Sequence, residues 1–526
     1  LLFNSFDYLL FLPLVALCYW VCPARFRVGL LVAASYYFYM HAFRIYGLLL
    51  LGLTACNYGL GLAVAKAATH KIKRLLLIAG IAFNLGMLAL FKYTNLLLDT
   101  FNSALAHLGS WTHSAMLHST GVADLPIILP LGISFFVFEF IHYLTDVFKG
   151  SKPVKNPLRF ALFASFFPSQ IAGPIKRYQD FDKQLDKPAT ISGDNIYAGL
   201  WLIAQGLFKK VCLGDNLSPI VQAGFKTPEL LSTGDAWLAS LAFAFQIYYD
   251  FSGYTDIGRG SAMLFGFSLP ENFNMPYLST SLKEFWRRWH ISLSSWLRDY
   301  LYVPLGGSRK GEASTMANLF TTMLLGGLWH GASWTFLLWG AFHGAGLAVN
   351  RVFDQFLAKH QAVKAICESL PGKAIAYVVT MVTVLVGWVL FYAHSLPQAL
   401  GVLKAMFSPQ AGSVDCMVVH QTMQSSILPA VAAYMIVVAG IKLQKAAAKA
   451  GAAGSNGANA VNGAKSSNTI ISDSATSVDP APSPSSLLTS IAPPRVVLHG
   501  CALAAVFVIT LELAPRLQSP FIYFQF

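Results

Sequence analysis

Two histidines stand where an ionisable side chain is costly to place. His330 lies in Gly326-Gly327-Leu328-Trp329-His330-Gly331, near the middle of a stretch from Ala313 to Asn350 that has no Asp, Glu, Lys or Arg. His290 closes the run Lys283-Glu284-Phe285-Trp286-Arg287-Arg288-Trp289-His290, dense in rings and cations. Imidazole is the side chain best matched to accepting a proton near neutral pH, so either residue can act as a general base. The competing readings are a hydrogen-bonded structural histidine at 330 and a solvated or helix-capping one at 290. Glycines beside His330 permit tight turns and close backbone approach.

The elements that carry them follow from length and charge. The 38 uncharged residues from Ala313 to Asn350 exceed one membrane crossing of roughly 20 residues, and both flanks are basic. They are predicted to enter and leave on the same side as two helices that turn near the middle, carrying His330 deep into the bilayer or toward its far side. The charged run from Lys283 to Tyr300 cannot span lipid. Read as one interfacial or re-entrant helix, it puts Phe285, Trp289, Trp296 and Tyr300 near one face and makes Arg287, Arg288 and Arg298 its cations. Arg309 and Lys310, in the glycine-rich turn that follows, extend the basic set. These five cations are read either as contacts for an anionic substrate or as loop charges that orient the chain.

Other ionisable residues are weaker candidates. Asp250 and Asp256 bracket a Ser-Gly pair and are positioned to orient a histidine or arginine, or to end a helix. Glu139 and His142 have the i, i+3 spacing of half a di-iron site, but without a second such motif they read as an intramembrane pair satisfying each other. His113 and His118 have poor spacing for a shared metal, and His343 reads as a packed core residue. No metal is predicted, and no G-x-S-x-G elbow suggests a serine esterase.

Composition supports a lipid setting. The 526 residues are 55% hydrophobic and 12% charged, against roughly 25% charged in an ordinary soluble domain. Apolar runs such as Leu75 to Phe91 and Ala374 to Tyr392 recur, predicting an all-α polytopic membrane protein of about ten to twelve transmembrane helices plus re-entrant or interfacial ones. Phe6 to Val21 reads as the first retained membrane helix. The net charge of +13 sits in short loops, not on one exposed face, which disfavours nucleic acid and suits the charge rule for membrane orientation. That rule places 70–74, 149–159 and 351–373 in the cytoplasm, and Asn95 to Asp124 and Ala393 to Ser426 outside. Seven scattered cysteines imply neither a disulfide framework nor a zinc ribbon. Residues 1–442 are expected to form the helical domain, 443–495 a disordered low-complexity cytoplasmic linker, and 496–526 a last membrane helix with a short tail. No internal repeat of helix-pair length argues for an inverted-repeat transporter.

The runs Ile171-Ala172-Gly173-Pro174-Ile175, Asp250-Phe251-Ser252-Gly253-Tyr254-Thr255-Asp256, Glu271-Asn272-Phe273-Asn274-Met275-Pro276-Tyr277, Glu284 to Ser294, Trp296 to Tyr302 and Leu325 to Ala332 together resemble the bacterial membrane-bound O-acyltransferases, especially the alginate O-acetyltransferase branch. The resemblance covers roughly positions 1 to 350 and implies a helical fold around a tunnel. It implies His330 as the central histidine, acting as general base, and His290 as the second, positioning substrate or stabilising charge; Trp329, beside His330, is read as a substrate-binding residue. It also implies acetyl-CoA as a donor that is used but not held as a cofactor, and an extracytoplasmic polysaccharide such as alginate as acceptor. A periplasmic esterase-like acetyltransferase partner and a bacterial inner membrane location go with it. D-alanyl transfer from a carrier protein to a cell-wall polymer is the alternative within the fold, and a transporter or flippase the alternative outside it.

Overall fold

The computed structural model describes residues 2–41, 44–112, 125, 129–171, 173–187, 190, 192–409, 412, 428, 431–432 and 434–436, and within them every regular element is a helix. His113, His118, the linker expected at 443–495 and the helix expected at 496–526 lie outside the described residues.

Among the described residues, four helices are both long and apolar enough to cross a membrane: Arg44–Lys66, His70–Lys92, Gly193–Lys226 and Leu370–Tyr392. Their outer faces carry bare hydrocarbon, with Leu75 66% and Ile375 65% exposed, which water would penalise and lipid accepts. The helices Thr233–Leu264 and Trp334–Lys359 are long as well but carry charges, and the first is buried along most of its length. Asn95 to Thr112, expected as part of an outside loop, belongs to a helix, Thr94–Thr112, and the next helix among the described residues starts at Ile133.

The basic ends converge on one side. Phe148, at the end of Ile133–Phe148, meets His70 (ring centroids 5.3 Å apart) and lies under the Lys73 ammonium. Lys149 sits over Tyr300, and Arg351 clasps Glu312 with two bonds of 2.7 and 2.9 Å. The opposite ends of these helices meet around His330. Grouping of the Lys/Arg-rich ends thus emerges from packing alone, as the charge pattern anticipates.

The uncharged stretch forms the expected hairpin, Glu312–His330 and Trp334–Lys359, with its turn at residues 331–333. Ser333 caps the second helix by accepting from the Thr335 amide. Close approach of the two helices depends on small residues: a Cβ on Gly340 would stand 2.5 Å from the Met323 carbonyl oxygen, and one on Gly327 3.0 Å from the Gly340 Cα. At 1.5 Å per residue, His330 stands about 27 Å along its helix from Glu312.

The single amphipathic helix expected from Lys283 to Tyr300 is instead broken. Leu282–Arg288 and Ile291–Leu297 are separate helices, followed by a π-helical segment Arg298–Tyr302. His290 occupies the break in the left-handed region, at φ 41° and ψ 57°, a conformation that costs a non-glycine residue about 1–2 kcal/mol. Partners earlier in the chain hold it there: Asn274 N donates to the Arg288 carbonyl (2.9 Å) and Ile291 N to the Asn272 carbonyl (2.9 Å).

Candidate active site

His330 is the last residue of its helix, and its backbone is held from outside. The Lys92 ammonium donates to the carbonyls of Trp329 (2.6 Å) and His330 (2.8 Å), while the Tyr93 hydroxyl donates to that of Leu328 (2.5 Å). The imidazole is buried among aromatic rings, edge-on to Trp339 (5.1 Å) and Phe391 (5.1 Å).

His290 is fully buried, edge-on to Phe251 at 4.7 Å. Its ring nitrogens make no hydrogen bond among the described residues. The Asn272 side chain fixes the segment just after it, accepting from the Ser292 amide (3.2 Å) and hydroxyl (2.6 Å), and Ser292 Oγ in turn accepts from Ile175 N (3.0 Å).

Trp329 joins the two histidines, with ring centroids 6.2 Å from His290 and 4.9 Å from His330. It stacks on Phe138 (5.1 Å), which stacks on Trp296 (3.8 Å), so three helices share one aromatic ladder. The Trp296 indole N–H donates to the Phe138 carbonyl, fixing the register of that ladder.

Two cavities lie along the helix that ends in His330. Toward the basic ends is one of about 510 Å³, lined by Trp286, Ser294, Leu297, Thr322 and Met323 and rimmed by Lys283, Arg287, Arg298 and Arg351. On the His330 side is one of about 130 Å³, lined by Lys92, Gly132, Ser134, Trp329 and His330. The two share no lining residue.

The basic residues singled out in the sequence divide accordingly. Arg287 and Arg298 face the larger cavity, whereas Arg288, Arg309 and Lys310 do not. Arg288 is committed to Glu284 one turn earlier (2.5 Å). Partial burial pushes the Glu284 carboxyl up, but the Thr280 amide and the Arg288 charge outweigh it and hold the group below its usual range. Arg309 and Lys310 are exposed on the turn before Glu312. Lys283 pairs with Asp354 (2.9 Å), Arg298 with Asp299 (2.7 Å) and Arg351 with Glu312, so among the described residues Arg287 is the rim cation with no ion pair.

Two further expectations are corrected. Asp250 does not end a helix: it lies inside Thr233–Leu264 and pairs with a lysine, Lys210, which also binds Asp215 at 2.8 Å. Glu139 and His142 do not satisfy each other. Glu139 binds Lys176 through both oxygens at 2.8 Å, and His142 Nε2 accepts from Tyr178 N at 3.3 Å. His343 is packed in the core as expected, between Trp286 and Trp339.

Lys92 and Asn272 were missed as site residues. Lys92 ends an apolar run whose other end is the basic His70 to Arg74, so it is a cation at the wrong end for the charge rule; that misplacement was the available signal. Asn272 stood inside a quoted motif without a role.

Comparison with known proteins bears on this constellation. The profile of MBOAT, the membrane-bound O-acyltransferase family, matches residues 102–387. The chain is 43% identical over 416 residues to the probable alginate O-acetylase AlgI of Azotobacter vinelandii, covering 78% of each chain. It is 37% identical over 440 residues to the peptidoglycan O-acetyltransferase of Helicobacter pylori, covering 77% of this chain and 80% of that one. Similarity to the teichoic acid D-alanyltransferase of Bacillus subtilis is 29% over 241 residues, 44% of this chain and 61% of that one.

Proposed function

The chain belongs to the membrane-bound O-acyltransferase family and is an acyltransferase, and from that premise we propose that it takes acetyl from acetyl-CoA in the cytoplasm and passes it across the bacterial inner membrane toward an extracytoplasmic polysaccharide. The observation that carries this reading is that one helix, Glu312–His330, serves two cavities: His330 at its end lines the small one, and Thr322 and Met323 farther back line the larger, cation-rimmed one. Acetyl-CoA is anionic and cannot cross lipid, and polymer hydroxyls lie on the other face, so a helix that carries a base at one end and lines a cation-rimmed cavity farther back suits both constraints.

In the proposed step an acceptor hydroxyl gives its proton to the His330 imidazole as its oxygen bonds to the acetyl carbon. The tetrahedral intermediate collapses with cleavage of the C–S bond, and the proton passes to the leaving thiolate, which departs as the thiol. His290 positions the thioester or stabilises the charge that forms. The acceptor is the polymer hydroxyl itself or that of a periplasmic esterase-like partner that completes the transfer. Among acceptors, the identities of 43% and 37% to proteins named for alginate and peptidoglycan acetylation favour acetyl transfer to a polysaccharide over D-alanyl transfer, where identity is 29% over a shorter stretch. A flippase reading has no support from these relatives.

Proteoliposomes test this reading. With radiolabelled acetyl-CoA on one face and deacetylated polysaccharide plus periplasmic extract on the other, labelled ester is expected in the polymer. Label that crosses without forming ester would return the chain to the transporters. Consumption of a D-alanyl carrier thioester in place of acetyl-CoA would move it to alanylation.

The rim makes a separate prediction. Loss of one charge-assisted contact to a CoA phosphate costs about 1.5–3 kcal/mol, so Arg287→Ala is expected to raise the acetyl-CoA KM about tenfold or more with kcat little changed. Arg309→Ala, outside the cavity, is expected to leave both parameters near wild type. Equal effects in the two variants would remove the rim from donor binding.

A further inference from the structure

We propose that Lys92 is a positioning residue for His330, an ammonium clamp that fixes the imidazole at the wall of the small cavity. The inference rests on the acyl-transfer reading and concerns a residue outside the motifs that carry the family resemblance.

The geometry comes from how this helix ends. The last four carbonyls of an α-helix have no partner within it, and a common solution is a glycine in the left-handed conformation just beyond the end. A glycine is present at 331, but its backbone is extended (φ −161°, ψ 156°), so the chain leaves the helix directly after His330. The imidazole therefore stands on the terminal residue, where helices fray most readily. Three of the four open carbonyls, those of Leu328, Trp329 and His330, are taken up by the dipeptide Lys92–Tyr93 from another helix end. A cation here also opposes the partial negative charge of the helix C-terminus.

Lys92 differs from an ordinary cap in its second surface. The same side chain lines the 130 Å³ cavity together with His330, Trp329, Gly132 and Ser134. Substrate seated in that cavity would meet a histidine whose backbone is bound to another lining residue, so cavity and base keep their relation as the protein fluctuates. Misplacing a reacting group by about 1 Å can cost about 10²-fold in rate, and the Lys92 bonds are the restraint on that displacement.

Purified protein in lipid nanodiscs provides the test, with acetyl transfer measured per folded molecule. Lys92→Met is expected to lower kcat about 10²-fold with the acetyl-CoA KM within twofold of wild type, and Lys92→Arg to recover to within about tenfold. Tyr93→Phe removes only the bond to Leu328 and is expected to cost less than about threefold. Hydrogen exchange at amides 328–336, read on the same samples, is expected to rise in Lys92→Met and not in Lys92→Arg. Lys92→Gln takes the place of the methionine variant if that variant does not accumulate. Activity of Lys92→Met within threefold of wild type, unchanged exchange, or an equal loss in Tyr93→Phe would overturn the proposal. Exchange is read without any reaction, so a wild type that transfers no acetyl would count against the acyl-transfer reading and leave the clamp decided by exchange.

Discussion

Cells carrying His330→Ala are expected to produce extracellular polysaccharide with acetyl ester at background level while the protein stays in the membrane at wild-type abundance. A positioned general base contributes about 10²–10⁴-fold, or about 3–5 kcal/mol of barrier, and alanine leaves no group that accepts the hydroxyl proton. The ring also packs against Trp339 and Phe391, so its removal leaves a void in an aromatic wall. His330→Asn fills much of that void and cannot act as a base near neutral pH; it is expected to fold as well as wild type and to be as inactive as the alanine variant. Ester content unchanged in either variant would remove His330 from the chemistry. Activity in the asparagine variant alone would reduce the histidine to packing.

What could be read in advance follows the range of the interactions concerned. The hairpin around His330 was legible because its cause is local: 38 residues without charge, basic at both ends, with glycines where the backbones touch. The common side of the basic ends was legible for the same reason. The break at His290 was not. Lys283 to Tyr300 contains no glycine or proline and keeps helical spacing, and the force that overrides it comes from Asn272 and Asn274, outside the segment. The fate of the arginines was partly accessible, since Glu284 and Arg288 stand four residues apart on a helix, the spacing of an ion pair. No local pattern separates Arg287, which faces the cavity, from Arg309, which does not. Asp250 was misread because its partner, Lys210, lies forty residues earlier on a neighbouring helix.

That partner supports the second large effect, on stability. Lys210 has no exposed side-chain surface, nor has Asp215, and Asp250 retains 3%. One ammonium thus lies between two carboxylates away from solvent, brought there by the π-helical segment Phe208–Gly214 that interrupts Gly193–Lys226. Charges at this depth are tolerated only when paired, and breaking a buried pair costs about 3–5 kcal/mol, because the partner left behind keeps its desolvation cost. Lys210→Met takes the cation away from both carboxylates. Against a total stability of about 5–15 kcal/mol, the expected result is a large fall in Tm and little folded protein in membranes. The triple variant Lys210→Met, Asp215→Asn, Asp250→Asn removes the charges together and is expected to recover much of that loss, since no carboxylate then bears a desolvation cost without its cation. If the triple variant were no more stable than Lys210→Met, the cost would lie in packing around the π-helical segment and not in stranded charge. The consequence reaches the site through one residue: Phe251, next to Asp250, is the ring on which His290 rests. Recovered stability with depressed acetyl transfer in the triple variant would show that the buried ion cluster also sets the position of that histidine.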